Sequence, residues 1–223
     1  MNIAALLLCA GHGNRFNSPL PKQFHSLGEK KIYRYPLDIL VASGFFTEIR
    51  IVAQKDHLSH LDSHPTCTIV GGGKSRQESV FLGLQGLDTD FVVICDGVRP
   101  FLTLGLLQEH IEKLIGGANA VNTCIPCTDT INVHQNGQIT TIPNRDQFLL
   151  GQTPQSFNTK ILKLAHESST KNYTDDCSLI LDAGFSISHV LGSEINLKIT
   201  TPLDLEIAKM TLGFTCKTSN LCL

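Results

Sequence analysis

Residues 3–15 read IAALLLCAGHGNR, an apolar run that leads into two glycines and an arginine. The run Ile3–Cys9 has no polar alternation, which is typical of a strand buried on both faces of a sheet. Gly11 and Gly13 then allow the backbone N–H groups of a loop to approach a phosphate closely. Arg15 adds a cation to that loop. The stretch therefore predicts the first strand of a parallel sheet, followed by an anion-binding loop.

Two common phosphate-binding fingerprints do not fit this chain. The dinucleotide fingerprint G-x-G-x-x-G needs a third glycine where Phe16 stands, so a site of the NAD type is disfavoured. A second glycine cluster, Gly71–Gly73, continues into Lys74-Ser75 like the end of a P-loop, but that motif needs a glycine at Thr68. The cluster is either a plain strand-to-helix turn or a glycine turn able to lie against a flat ligand such as a base.

The rest of the chain alternates between strand-like and helix-like segments. Such alternation predicts an α/β protein with a mostly parallel, twisted sheet and helices on both faces. The expected strands are Ile3–Cys9, Glu48–Ala53, Thr68–Val70, Phe91–Cys95 and Ala120–Ile125. The expected helices are Ile32–Ser43, Ser75–Leu84, Leu104–Ile115, Thr159–His166, Asp175–Ala183 and Pro202–Met210.

Residues 128–143 depart from this alternation. Two β-prone stretches flank Asn136-Gly137, a strong signal for a tight hairpin turn. We predict an antiparallel arm at about 127–145 that projects from the sheet and is stabilised by packing against a second subunit. The organisation expected is one domain over residues 1–212, which includes the arm, and a loose tail over residues 213–223.

Composition limits the kinds of partner. The chain has 223 residues, a net charge of −2 and 42% hydrophobic residues, so it can bury a sizeable core and carries no basic stripe for nucleic acid. Any polyanion must therefore be bound by a local cluster of cations. The first apolar run is too short for a membrane span and has no basic segment before it, so we expect a cytoplasmic protein whose eight cysteines are reduced.

Two further residues are candidates for the chemistry. Lys22 is a second cation close in sequence to the first glycine loop. Asp96 follows the predicted strand Phe91–Cys95, at the edge of the sheet where ligands bind in such folds. A carboxylate next to a polyphosphate is well placed to hold Mg²⁺, although an aspartate that caps a turn is common at such a position.

Together these segments resemble the 2-C-methyl-D-erythritol 4-phosphate cytidylyltransferases, which use CTP to make a precursor of isoprenoids. The resemblance covers about Ile3 to Lys209, and its strength lies in the joint order and spacing of short pieces. These pieces are Ala10-Gly11-x-Gly13-x-Arg15, Pro21-Lys22-Gln23-Phe24, Gly72-Gly73-x-x-Arg76-x-x-Ser79-Val80, Asp96-x-x-Arg99-Pro100, Asp129-Thr130-Ile131, Arg145, Gln152-Thr153-Pro154-Gln155-x-Phe157, Thr174-Asp175-Asp176, and Asn196–Pro202 with Asp204.

The resemblance implies a Rossmann-like nucleotidyltransferase fold, a homodimer joined through its arms, and a role for each matching residue. Arg15 and Lys22 would be catalytic, by stabilising the charge on the α-phosphate and the departing pyrophosphate. Asp96 would bind Mg²⁺ or position the substrate. The residues implied to hold CTP are Ala10, Gly11, Gly13, Gly72, Gly73 and Ser79. The residues implied to position the sugar-alcohol phosphate are Arg99, Thr130, Arg145, Thr174 and Lys198.

The chain departs from the family pattern in two places. It has Cys9 where the family usually has alanine, and Cys95-Asp96-Gly97-Val98 where the family usually has His-Asp-Ala-Ala. Some stretches, such as 98–103, are more similar to the related ribitol-5-phosphate cytidylyltransferases, so ribitol 5-phosphate is an alternative acceptor. A catalytically silent CTP sensor is an alternative of another class, and the retained cations speak against it.

Overall fold

The structure is a computed structural model that describes residues 1–11, 13–16 and 18–219. It contains eleven strands and six α-helices within these ranges. The strands are β1 (Ile3–Leu8), β2 (Ser26–Leu27), β3 (Lys30–Lys31), β4 (Glu48–Ala53), β5 (Cys67–Gly71), β6 (Phe91–Asp96), β7 (Ala120–Pro126), β8 (Val133–Gln135), β9 (Gln138–Thr141), β10 (Leu149–Asn158) and β11 (Ser188–Leu191). The helices are α1 (Arg34–Ser43), α2 (Arg76–Leu84), α3 (Leu104–Ile115), α4 (Thr159–Ser168), α5 (Asp176–Asp182) and α6 (Pro202–Ser219).

Seven strands form one sheet in the order β11-β7-β10-β6-β1-β4-β5. All neighbouring strands in it are parallel except β10, which runs antiparallel to both β6 and β7. The predicted α/β class and mostly parallel sheet are therefore confirmed. β10 was not predicted, because its sequence is polar and contains Pro154, a residue that usually argues against a central strand. The ladder is interrupted between Gln152 and Gln155, so Pro154 lies where no strand hydrogen bond is required.

Helices cover both faces of this sheet, as predicted. Residues of β1 alternate between the two faces, with Ala5 and Leu7 in the cluster that packs under α1 and α3. Leu6 belongs to the opposite cluster, which packs under α2, α4 and α5. These side chains are fully buried, so β1 is the central strand of the core and fixes the position of the loop that follows it.

The arm is a two-stranded hairpin. β8 and β9 pair antiparallel around Asn136 and Gly137, whose φ angles of 51° and 79° are those of the tight turn that Asn-Gly favours. All the residues of β8 and β9 are exposed. The predicted hairpin is confirmed, and it extends from the sheet between β7 and β10.

The C-terminal segment differs from the prediction. Helix α6 was expected to end at Met210 and to be followed by a loose tail from Gly213, but its backbone is helical as far as Ser219. The remaining tail residues, 220–223, lie outside the described residues. Within the described ranges, no helix is both long enough and apolar enough to cross a membrane.

Candidate active site

A cavity of about 410 Å³ lies at the edge of the sheet where β1, β5 and β6 end. The carboxyl ends of parallel strands open towards such a crevice, because the chain must leave each strand there. The residues that line the cavity are Leu8, Ala10, Gly11, Gly13, Arg15, Lys22, Gln23, Gly73, Lys74, Ser75, Arg76, Ser79, Asp96, Val98 and Lys198. This set contains five cationic side chains and one carboxylate, which is the charge balance suited to a polyanionic ligand.

The loop after β1 is held from beneath by Gln23. The Gln23 side chain is buried, and its Nε2 donates to the carbonyl oxygens of Cys9 at 2.6 Å and Gly11 at 3.0 Å. Gly13 has φ 70°, a left-handed conformation that glycine adopts without strain. The chain then turns through the short helix that carries Arg15. The described residues of this loop therefore form one wall of the cavity, and Gln23 anchors the start of the loop.

The environment of Lys22 in this cavity disfavours the charged form of its side chain. Burial lowers its pKa to about 8, and the positive charges of Lys198 and Arg15 act in the same direction. Within the described residues, the Lys22 ammonium forms no ion pair. A buried cation repelled by two others is a strong site for an anion, because an incoming phosphate relieves the repulsion.

Asp96 is surrounded by cations. Its Oδ2 lies 2.8 Å from Lys198 Nζ and 3.7 Å from Arg99 Nε, and its Oδ1 lies 3.9 Å from Arg76 Nε. Burial acts to raise the pKa of Asp96. The charges of Lys198, Arg76 and Arg99 oppose burial and hold this pKa well below its usual range.

Among the described residues, Asp96 is paired with cations and is not part of a cage of metal ligands. A divalent cation at Asp96 would meet three neighbouring positive charges and one carboxylate. No group of three or more His, Cys, Asp or Glu side chains with metal-binding geometry is present in the described ranges. Here the Asp96 carboxylate anchors cations of the site, and the binding of Mg²⁺ by Asp96 stays a prediction.

The second glycine segment forms a rigid turn between β5 and α2. The Gly73 N–H donates to Ser79 Oγ at 3.1 Å, and Ser79 Oγ donates to the Ser75 carbonyl oxygen at 2.8 Å. Glu78 accepts from the Lys74 N–H at 2.6 Å. A side chain at Gly72 would place its Cβ 2.5 Å from the Ala10 Cβ, so only glycine allows the turn to approach the first loop this closely.

The structure brings most of the predicted site residues together. Nine of them line the cavity: Ala10, Gly11, Gly13, Arg15, Lys22, Gly73, Ser79, Asp96 and Lys198. Gly72 lines the adjoining groove on the other side of the turn. Arg99 lies behind Asp96, where its Nη1 donates to the Asn196 carbonyl oxygen at 2.6 Å.

The remaining three predicted residues do not line the cavity of this chain. Thr130 and Thr174 are exposed outside it. Arg145 is exposed at the base of the arm, where its Nη1 donates to the Thr128 carbonyl oxygen at 2.8 Å. Their predicted roles in binding the acceptor therefore depend on a second chain or on a movement of these segments.

Sequence reasoning gave no role to Arg76, although this residue is part of a recognised sequence piece. Its Nη1 lies 2.6 Å from Oδ2 of the buried Asp176, and its Nη2 donates to Gln155 Oε1 at 3.4 Å. Burial acts to lower the pKa of Arg76, and the charges of Asp176 and Asp96 raise it above its usual value. Arg76 is therefore a permanently charged part of the cavity wall that joins α2 to α5. Arg76 is the first residue of α2 and closely follows a glycine turn, and this position in the sequence could have indicated its place in the cavity wall.

Comparisons with known proteins give the same result as the geometry. The sequence profile of the 2-C-methyl-D-erythritol 4-phosphate cytidylyltransferases matches residues 3–213. The chain belongs to this family. A 2-C-methyl-D-erythritol 4-phosphate cytidylyltransferase from Clostridioides difficile is 34% identical over 222 residues, which cover 94% of this chain and 93% of the relative. The crystal structure of 4-diphosphocytidyl-2C-methyl-D-erythritol synthase from Anaerococcus prevotii has a TM-score of 0.82 and 30% identity, and the match covers 95% of this chain and 98% of that one.

A second relative has a different acceptor in its name. A ribitol-5-phosphate cytidylyltransferase from Lactiplantibacillus plantarum is also 34% identical, in an alignment 225 residues long that includes 92% of this chain and 96% of the relative. The comparisons therefore show that the chain belongs to the cytidylyltransferase family and has its nucleotidyltransferase chemistry. The two relatives differ in the acceptor that their names give.

Proposed function

We propose that the chain transfers CMP from CTP to 2-C-methyl-D-erythritol 4-phosphate and releases pyrophosphate. The observation that carries the proposal is the cavity at the carboxyl edge of β1, β5 and β6, where five cations surround two glycine segments and one carboxylate. The family match over residues 3–213 supports the proposal. The chain also has sequence pieces of the methylerythritol enzymes, including Ser79-Val80 and Thr174-Asp175-Asp176.

The chemistry needs no general base. An oxygen of the acceptor phosphate monoester is already ionised, so it attacks the α-phosphorus of CTP directly. The new P–O bond forms as the bond from the α-phosphorus to the α,β-bridging oxygen breaks, and that electron pair leaves on pyrophosphate. In this proposal Arg15 and Lys22 stabilise the negative charge that builds up on the α-phosphate and the leaving group. The two glycine segments hold the triphosphate and cytosine.

Of the residues predicted to position the acceptor, Lys198 is the one that lines the cavity. Its ammonium is exposed at the cavity and is held at 2.8 Å by Asp96. We propose that Lys198 and Arg99 position the acceptor phosphate from this chain. We propose also that Thr130 and Arg145, which lie on or near the arm, complete the site of a neighbouring chain in a homodimer, and that Thr174 closes the acceptor side.

The arm offers an apolar surface for this dimer. Three apolar side chains of the arm are largely exposed: Val133 at 48%, Ile139 at 62% and Ile142 at 62%. Exposed apolar side chains are unfavourable on a hairpin that stays in solvent, so they indicate a contact surface. The variant Ile139→Asp/Ile142→Asp should be monomeric in sedimentation velocity, whereas the wild type and the control Ile115→Asp should be dimeric. A monomeric wild type, or a double variant that still forms dimers, would contradict the proposed role of the arm.

Mg²⁺ and a cytoplasmic location complete the proposal. Because the residues around Asp96 do not form a metal cage, the proposal keeps Mg²⁺ as the counter-ion that the triphosphate brings with it. The proposal also keeps the expected cytoplasmic location, where CTP is available. Neither a membrane nor a nucleic acid is part of this proposal.

Ribitol 5-phosphate is the second candidate acceptor, on the strength of the Lactiplantibacillus plantarum relative. The deciding experiment measures pyrophosphate release from CTP and Mg²⁺ in parallel reactions with the two acceptors. Release with methylerythritol 4-phosphate alone supports the proposal, and release with ribitol 5-phosphate alone replaces the acceptor but keeps the mechanism. CTP binding without release with either acceptor would favour a silent sensor.

A further inference from the structure

Gln54 makes a direct connection between the two glycine segments. It follows β4, the strand that lies between β1 and β5 in the sheet. Its side-chain Nε2 donates to the carbonyl oxygen of Gly73 at 2.6 Å and to the carbonyl oxygen of Ala10 at 3.3 Å. One amide group therefore contacts the backbone of both segments.

The other contacts that fix the spacing of the two segments lie at Gly72. Gly72 packs against Ala10, and the Gly72 N–H donates to the Ala53 carbonyl oxygen at 2.8 Å, which anchors the start of the turn. At the Gly73 carbonyl, the bond from Gln54 is the contact that faces the first loop. Without this donor, the two carbonyl oxygens would face the same partly buried space and lose the hydrogen-bond donor that they share, which is unfavourable.

We propose that Gln54 is a positioning residue for the nucleotide: it sets the spacing between the loop that holds the triphosphate and the turn that holds the base. This inference rests on the proposed function, because it takes CTP as the ligand that spans both segments. Gln54 does not line the central cavity, and Asp96, Arg99 and Lys198 on the acceptor side are not among its hydrogen-bond partners. Its loss should therefore weaken CTP binding and leave acceptor binding unchanged.

The test compares Gln54→Glu with a matched change elsewhere. Gln54→Glu keeps the shape of the side chain, removes both N–H donors and places a carboxylate against two carbonyl oxygens. Gln85→Glu makes the same chemical change at an exposed glutamine whose Nε2 donates to the Phe81 carbonyl oxygen at 3.2 Å. Gln54→Asn, which is shorter by one methylene, provides a milder variant if the glutamate variant does not fold.

The expected result is a Kd for CTP, measured by titration calorimetry, that rises about tenfold in Gln54→Glu and by less in Gln54→Asn. The KM for the acceptor and the kcat at saturating CTP should stay within about twofold of the wild type, as should all three constants in Gln85→Glu. An unchanged Kd for CTP in both Gln54 variants would overturn this inference alone, as would a parallel rise in the acceptor KM. A wild type that does not bind CTP would overturn the proposed function with it.

Discussion

Replacing Lys22 with methionine should increase the stability of the protein and almost abolish its activity. Methionine has a similar length and no charge, so Lys22→Met removes a cation from a buried position and leaves the packing nearly intact. In the folded protein the pKa of Lys22 is lowered from 10.5 to about 8, by burial first and by Lys198 and Arg15 next. The charged form therefore costs free energy in the folded state at neutral pH.

The size of both effects follows from the site. Each tenfold change in proton affinity corresponds to about 1.4 kcal/mol. We halve the free-energy cost that corresponds to the lowered pKa of Lys22, because solvent reaches part of the ammonium. Lys22→Met should therefore raise the free energy of unfolding at pH 7 by about 1–2 kcal/mol. The loss of one preorganised group that faces the developing charge should lower kcat by about 10²–10³-fold.

The sign of the pH dependence gives a second check on the same variant. Between pH 8 and about 10.5 the unfolded chain binds the Lys22 proton more tightly than the folded chain does, so the wild type gains stability as the pH rises through this range. The advantage of Lys22→Met should therefore be present at pH 7 and disappear by about pH 10. Urea unfolding at pH 7, 8.5 and 10 measures it, and pyrophosphate release measures kcat.

Lys113→Met is the control for this pair of measurements. Lys113 is exposed near the end of α3, so its replacement should change the free energy of unfolding by less than about 0.5 kcal/mol and leave turnover unchanged. If Lys22→Met were less stable than the wild type at pH 7, or kept near-normal turnover, the electrostatic argument about the cavity would be refuted.

Three other outcomes follow from the structure. The kcat/KM for CTP should fall as the pH rises above about 8, because Lys22 of the free enzyme loses its proton there; a profile that is flat to pH 10 would contradict this assignment. An alanine at Gly97 would place its Cβ 2.5 Å from Cys9 Sγ, so Gly97→Ala should lower the free energy of unfolding by about 1–3 kcal/mol, and Cys9→Ala in the same chain should restore at least half of that. Additive effects in the double variant would show that the two departures from the family pattern are unrelated. Burial lowers the pKa of His110 to about 3, so below about pH 6.5 only the unfolded chain takes up this proton. In urea unfolding, the wild type should lose stability relative to His110→Gln by about 1.4 kcal/mol per pH unit from pH 6 to pH 4, and parallel curves for the two proteins would argue against a neutral buried His110.

Local patterns were sufficient for most of the fold. β4 and α3 have the predicted bounds, and the ends of β1, β5, β6 and β7 lie within one residue of prediction. Strands such as β1, β4 and β6 could be predicted because buried parallel strands are nearly continuous apolar runs. β10 could not be predicted, since its polar residues are satisfied by long-range partners. Ser156, for example, bonds to His110 of α3 across 46 residues of sequence. β11 has only four residues and is stabilised by pairing with β7, and a local sequence pattern cannot predict this long-range pairing.

For the site, the sequence identified residue types and the structure supplied their neighbours. The glycines and the cations Arg15 and Lys22 were predicted, because loops at strand ends can be read from local order along the chain. The ion pairs of Asp96 could not be predicted, since its cationic neighbours come from segments as distant as Arg76 and Lys198. Gln54 was missed because a single glutamine after a strand has no motif, and only the folded chain brings Ala10 and Gly73 to the same amide.

The transfer of the CMP group of CTP to a phosphorylated alcohol in this cavity can be followed directly with labelled CTP. The most direct test incubates the protein and Mg²⁺ with methylerythritol 4-phosphate and CTP that is labelled at the α-phosphorus or, separately, at the γ-phosphorus. We expect the α-label in a cytidine diphosphate ester of the alcohol and the γ-label in pyrophosphate, with both yields reduced at least about a hundredfold in Lys22→Met. Label recovered as CMP or inorganic phosphate with no ester formed, or equal yields from the wild type and Lys22→Met, would contradict it.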